Sequence, residues 1–274
     1  TPITTRFGIT VAENRQPFFP EWSSSFGPSI EGIPLFFWLF FIGSVYLFHY
    51  MLKEFNKKDR LILTGSYTLF LICIIFSRYK SDSILNGTNA ISLGVYVLGF
   101  VALLASFGFY YWKYHTAQDE RFRKLDVSLI LLLTFFFFSI VSARGAVRVI
   151  MVLVPPTSII VSFFVVSVAS KAWEAKRDST NKFFIWIAAA IIIFAVLFSG
   201  YQFAKSTRDS AAGYAPSEYT HQWQKAMSWV RENTPKNSVF SHWWDYGYWV
   251  QSIGERATVL DGGNAIVYWD HLMG

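Results

Sequence analysis

Apolar residues in this chain fall in long unbroken blocks rather than at the alternating or four-residue spacing of a soluble fold. Six blocks, at 33–52, 61–76, 90–112, 127–143, 149–170 and 183–203, carry almost no charge. A helix needs about 20 apolar residues to cross a hydrocarbon layer roughly 30 Å thick, so each block predicts a spanning helix. The second and fourth are short, and Thr64, Ser66, Ser128 and Thr134 dilute them. Their apolar residues are not confined to one face, as those of a helix lying flat in the interface would be. Beyond 203 the pattern turns mixed polar and aromatic, with no run long enough to span. Ser217 there is placed to cap a helix whose Tyr219, Trp223, Ala226, Met227 and Val230 recur at helical spacing, and Asn233-Thr234-Pro235 ends it. Residues 238–241 read as a strand, 246–253 as a helix stopped by Gly254, and 257–260 as a second strand. A crossover helix makes such strands parallel, so 242–245 and 261–264 emerge at one edge and bring Asp245 near Asp261. The predicted fold is a polytopic α-helical membrane protein of about six transmembrane helices, 33–203, after a loop, 1–32, and before the start of an α/β extracytoplasmic domain, 204–274.

Composition agrees with the blocks: 53% of the 274 residues are hydrophobic and 15% charged, against about 25% charged in a typical soluble domain. A purely soluble or disordered chain is excluded. A lone cysteine, Cys73, excludes an intrachain disulfide and any Cys-rich zinc site. The chain starts at Thr1 and stops at Gly274 just after a strongly patterned stretch, as a piece of a longer protein would. Charge then sets orientation. Of 24 basic residues, 12 follow the first, third and fifth blocks, whereas the intervening loops hold only Arg78, Lys80, Arg144 and Arg148. Basic loops stay cytoplasmic, which places 1–32 and 205–274 outside. The net charge of +6 needs no other cause, and no basic patch interleaved with aromatics suggests nucleic acid.

The run His242-Trp243-Trp244-Asp245-Tyr246-Gly247-Tyr248-Trp249 is the most informative. Each indole donates one N–H and an ionised Asp only accepts, so Trp243, Trp244 and Asp245 can surround a hydroxyl that accepts two hydrogen bonds and donates one. Such a site rejects a ligand lacking the hydroxyl, because its own polar groups are then buried unpaired. The alternative is an aromatic cluster that packs the domain on the membrane surface.

Trp243-Trp244-Asp245-Tyr246-Gly247 is similar to the WWDYG signature of the catalytic subunit of oligosaccharyltransferase, and Asp261-Gly262-Gly263 resembles a downstream segment of its prokaryotic, AglB-like archaeal form. Thr10-Val11-Ala12-Glu13 resembles the TIXE motif of that family's large external loop. Six crossings separate Glu13 from Asp245, and an even number returns both to one face. Arg144-Gly-Ala-Val-Arg148, with Pro155 seven residues after Arg148, resembles the family's Arg-turn, in which such an Arg contacts the donor phosphate. Arg148 matches by spacing and Arg144 less well. An Arg at this depth otherwise serves as a snorkelling anchor.

The resemblance implies transfer of an oligosaccharide from a dolichyl phosphate or pyrophosphate donor to the Asn amide of Asn-X-Ser/Thr, outside the cytoplasm, in the cell membrane. It implies that Glu13 acts on the acceptor amide and ligates Mg²⁺ or Mn²⁺, that Trp243, Trp244 and Asp245 hold the acceptor hydroxyl, and that Arg148 binds the donor phosphate. The family's further aspartates lie in loops this sequence does not contain, so the 274 residues alone are expected to be inactive. Relatives place two spans between the TIXE loop and the Arg-turn where four are predicted here, which makes 61–112 an extra hairpin; its loop carries a sequon of its own, Asn86-Gly87-Thr88. The rival readings are another polytopic glycosyltransferase using a lipid-phosphate sugar, a transporter, for which charges should lie within the spans, or a structural subunit.

Overall fold

The computed structural model describes residues 15–27, 29, 31–174, 180–214 and 219–261, and its two compact units divide after Ser206. The first holds α1 (Phe19–Ser24), α2 (Leu35–Met51), α3 (Lys57–Phe76), α4 (Ala90–Thr116), α5 (Val127–Gly145), α6 (Ile150–Glu174) and most of α7 (Thr180–Gly213). Among the described residues α3, α4, α5, α6 with its preceding turn, and α7 are long and apolar enough to cross a membrane, while α2 is apolar but has 17 residues. All six predicted blocks are helices, and the chain is a multi-pass membrane protein. Several helices run past the ends of their apolar blocks, among them α4 to Thr116 and α6 to Glu174. α3 starts at Lys57 rather than 61, drawing Asp59 into its first turn, and α7 continues to Gly213 rather than ending at 203. Hydropathy marks where a span meets water; the helix stops only where a residue such as Gly213 breaks it.

The polar residues that dilute the blocks are accommodated in the helices. Thr64, Ser66 and Thr68 return their hydroxyls to the carbonyls of Arg60, Leu63 and Thr64 at 2.8–2.9 Å, so an apolar medium meets no open donor there. Asn89 and Asp126 cap α4 and α5 by accepting the N–H groups of Ser92 and Ser128 at 2.8 Å. The core is aromatic and centred on α2 and α3, with Phe37, Phe40, Leu47, Leu63, Phe70 and Ile74 buried. α3 packs along α4, and α2 and α5 pack against α6. At Gly99 a Cβ would stand 2.6 Å from Cys73 Cβ, so only glycine permits that approach of α4 to α3. Elsewhere α4 and α7 turn Leu104, Trp112, Phe194 and Leu197 outward, as suits helices facing acyl chains rather than water.

One buried carboxylate interrupts this apolar interior. Asp59 accepts from Lys113 Nζ at 2.8 Å and from Tyr114 Oη at 2.6 Å, and Arg121 Nη1 donates onward to that phenol at 3.2 Å. The acid lies at the N-terminus of α3 and the lysine near the C-terminus of α4, each where the helix dipole favours its sign.

The second unit contains α8 (His221–Asn233), β1 (Val239–Phe240), α9 (Gly247–Ser252) and β2 (Ala257–Thr258). The strands are parallel, as predicted, with Val239 opposite Ala257 and Phe240 opposite Thr258, but each is only two residues long. Thr220 occupies the N-cap of α8 without a side-chain bond, and Ser217 lies outside the described residues. Met227, Val230 and Val250 form a small core. Arg256, 5% exposed, supplements it: its guanidinium donates to the carbonyls of Arg231 at 2.6 Å, Thr234 at 2.7 Å and Glu255 at 2.9 Å and to Thr234 Oγ1 at 3.0 Å. It closes the C-terminal end of α8 onto the segment entering β2.

Candidate functional site

In the first unit, α5 ends at Gly145 and Ala146 is extended, with φ −152° and ψ 138°. One 3₁₀ turn, Val147–Val149, then leads into α6. This bend gives the two arginines of the Arg-turn different surroundings. Arg148 is exposed and has no hydrogen bond or ion pair among the described residues. Arg144 is 7% exposed; its Nη1 donates to Gln16 Oε1 at 2.9 Å and its guanidinium stands 5.4 Å from the Tyr96 ring centre. Its Nε is buried without a partner. The Val147 N–H donates to the Arg15 carbonyl at 2.9 Å, so the chain leaving the TIXE-like motif is bonded to the Arg-turn by both backbone and side chain. Glu13, two residues upstream of Arg15, lies outside the described residues, as does the rest of that motif. Downstream, Arg15 pairs with Glu21, which also accepts the Phe18 N–H. Burial, and next the charge of Arg15, hold the Arg78 guanidinium below its ordinary pKa, with Glu21 opposing. Beside α6 an apolar cavity of about 410 Å³ opens, lined by Phe36, Phe40, Val154, Ser158, Val161 and Phe203 among others.

In the second unit the tryptophan run divides into two jobs. Tyr246 and Trp249 are structural: their ring centres lie 4.7 and 4.9 Å from that of Trp223 on α8. Gly247 is required, because a Cβ there would come within 2.4 Å of the Leu260 carbonyl oxygen and 2.6 Å of Asp261 Cα. That contact, with Gln251 Nε2 donating to Asp261 Oδ2 at 3.0 Å and to Thr258 Oγ1 at 2.7 Å, joins the segment after β2 to the start of α9. Residues 262–264 lie outside the described residues. The other job falls to Trp243–Asp245, where the chain passes from an extended Trp243 into a 3₁₀ turn, Trp244–Tyr246. Asp245 is exposed and, among the described residues, has no hydrogen bond or ion pair. Trp244 Nε1 is a buried donor without an acceptor. His242 Nδ1 lies 2.8 Å from the Trp243 carbonyl, which can only accept, so the proton is on Nδ1. Its Nε2 is buried and has no partner among the described residues. Among the described residues, two buried polar atoms of this run and the exposed Asp245 carboxylate thus have no hydrogen-bond partner.

Among the described residues no three His, Cys, Asp or Glu side chains gather as a metal site would require. Sequence reading overlooked Gln16, Arg15 and Tyr96. Their signal is invisible locally, since Gln16 is 128 residues from its partner Arg144.

No family model matches the chain, and no solved structure does. Curated proteins match over short stretches. Dolichyl-phosphooligosaccharide-protein glycotransferase 1 of Pyrococcus furiosus is 50% identical over 48 residues, 17% of this chain and 5% of that protein. The dolichyl-diphosphooligosaccharide–protein glycosyltransferase subunit STT3B of Oryza sativa is 38% identical over 39 residues, 14% of this chain and 5% of the relative. Glycotransferase 2 of Archaeoglobus fulgidus, of the dolichyl-phosphooligosaccharide-protein type, is 33% identical over 66 residues, 20% of this chain and 11% of the relative. The matched stretches therefore span a small part of each relative's length. Short as they are, they converge on one group, and the chain is recognised by them as similar to the archaeal and eukaryotic catalytic subunits of oligosaccharyltransferase.

Proposed function

We propose that this chain is part of an oligosaccharyltransferase catalytic subunit, which transfers a glycan from a dolichyl-phosphate or dolichyl-pyrophosphate donor to Asn in Asn-X-Ser/Thr, on the extracytoplasmic face of the membrane. The observation that carries the reading is the division of labour in the tryptophan run: Tyr246, Gly247 and Trp249 build the turn, leaving, among the described residues, a buried indole N–H and an exposed carboxylate unpaired in consecutive residues. Those groups match the needs of a Ser/Thr hydroxyl, which accepts from indole and donates to Asp245. An acceptor without the hydroxyl would leave them unpaired and bind less well.

The chemistry at the other end is consistent. An amide nitrogen is a poor nucleophile, because its lone pair is delocalised into the carbonyl. Glu13 would accept a hydrogen bond from the amide N–H and so favour the twisted, more nucleophilic form. Arg148, exposed at the bend where α6 begins, can grip a phosphate through paired N–H donors and keep its charge while doing so. The apolar cavity beside α6 suits the lipid part of the same donor. Mg²⁺ or Mn²⁺, when bound, would stabilise the departing phosphate. Glu13 can supply one oxygen ligand, but the described residues contain no ligand cluster that would complete a site.

The test is steady-state transfer by the full-length protein to a sequon peptide from a dolichyl-linked donor. Asp245→Ala is expected to raise KM for the peptide about tenfold or more, and Glu13→Ala to lower kcat with little change in KM. Unchanged kinetics in both variants would overturn the assignment.

A further inference from the structure

We infer that the turn joining α3 to α4, together with Arg144, is the seat that fixes the outgoing end of the acidic loop, making Arg144 and Gln16 positioning residues for Glu13; the inference rests on the transferase reading above. The extra hairpin is then a working part of the site rather than an insertion that the fold tolerates.

The turn reaches the loop at several points. The Phe19 N–H is shared between the carbonyls of Arg78 at 3.0 Å and Tyr79 at 3.2 Å. The Phe19 ring stacks with both Phe76 and Tyr79, with centres 4.8 and 5.5 Å away, and those two lie 6.4 Å from each other. The Arg78 guanidinium lies 4.1 Å over the Phe18 ring. The turn is rigid in its own right. Arg78 bridges Asn86, and the Tyr79 N–H donates to the Leu85 carbonyl at 2.7 Å. Asn86 Oδ1 accepts from the N–H groups of Thr88 at 2.9 Å and Asn89 at 3.1 Å and from Thr88 Oγ1 at 3.1 Å. Gly87, at φ +83°, lies so close to Arg78 that a Cβ would stand 2.6 Å from Arg78 Cγ.

Arg144 completes the seat from the opposite wall. Gln16, Gly87, Ser92, Tyr96 and Arg144 enclose a cavity of about 190 Å³ between the loop and the hairpin. A guanidinium buried for stability is ordinarily matched by a carboxylate and has its N–H groups satisfied. Among the described residues Arg144 has one amide oxygen and one ring, with Nε buried and unpartnered. Replacing so poorly matched a charge by an apolar chain of similar length should not weaken the bundle. What it does supply is a bond to Gln16, three residues from Glu13, alongside the Val147–Arg15 bond. Two residues of chain span at most about 7 Å, so clamping Arg15 and Gln16 limits where Glu13 can stand.

In the full-length protein, Arg144→Met and Gln16→Leu are each expected to lower kcat about 10- to 100-fold, the scale of a 1 Å misplacement. KM values for donor and peptide should stay within about twofold, and the melting temperature should be unchanged or raised. The double variant should lose no more than either single one, because both break one bond. Gln16→Glu, which keeps an acceptor for Arg144, should retain turnover. Wild-type kcat in both variants, with Glu13→Ala inactive, would overturn the positioning inference alone. A raised donor KM in Arg144→Met at unchanged kcat would also overturn it, since Arg144 would then touch the donor. Full turnover in Glu13→Ala would remove the transferase reading and this inference together.

Discussion

Asp59 in the bundle and Arg256 in the small unit are both buried charges, and these two are satisfied by opposite means. In the bundle, Asp59 is met by an opposite charge, Lys113, and by the Tyr114 phenol. In the small α/β unit, Arg256 is met by neutral carbonyls and one hydroxyl and has no acidic partner among the described residues. The difference follows from what each region has available. The bundle holds a large aromatic core and a lipid-facing surface, so a local ion pair joins α3 to α4 at one end and decides little else. Among the described residues the small unit has a core cluster of three buried apolar side chains, with Leu260 buried besides, few to hold two helices and two short strands by burial alone. There the guanidinium ties the elements together.

Breaking each charge separately should expose that contrast. Arg256→Met is expected to have the largest effect, about 3–5 kcal/mol, because it leaves the carbonyls closing α8 without donors. Limited proteolysis should then cut the second unit while the bundle stays intact. Lys113→Met should lower stability by less, by leaving the buried Asp59 carboxylate without its cation. Thermal unfolding in detergent would read that loss, and adding Asp59→Asn should recover part of it, which an independent pair of effects would not do. Trp244→Phe sharpens the comparison from the other side, with the smallest effect. It removes a donor that has no acceptor, so stability should hold or rise by about 1 kcal/mol, while sequon-peptide affinity measured by calorimetry falls several-fold. An equal loss of stability and affinity would show that Trp244 is ordinary packing.

Much of this was legible in the sequence because lipid and water impose patterns on neighbouring residues. The six apolar blocks, the two short strands and the helix expected at 246–253 all depend on residues within a few positions of one another, and the structure contains each. Helix ends were less legible: 204–213 lost apolar character without gaining a breaker, so α7 ran on. The roles of Gln16 and Tyr96 were not legible at all, since both are defined by Arg144, far away in the chain. Arg144 and Arg148 illustrate the same limit, because four positions apart in one motif they lie one buried and one exposed. Only the bend at Ala146 separates them.

The Asn86-Gly87-Thr88 turn has a consequence for self-modification. A triplet read through its Thr hydroxyl must offer that hydroxyl outward, yet Thr88 directs its own onto the asparagine it would help to present. The ladder across Arg78 holds the ends of the loop together, against the drawn-out shape an incoming substrate strand would take. An enzyme of the proposed kind would therefore carry its own recognition sequence in a folded, protected form, sparing itself without having altered a single letter of the code it reads.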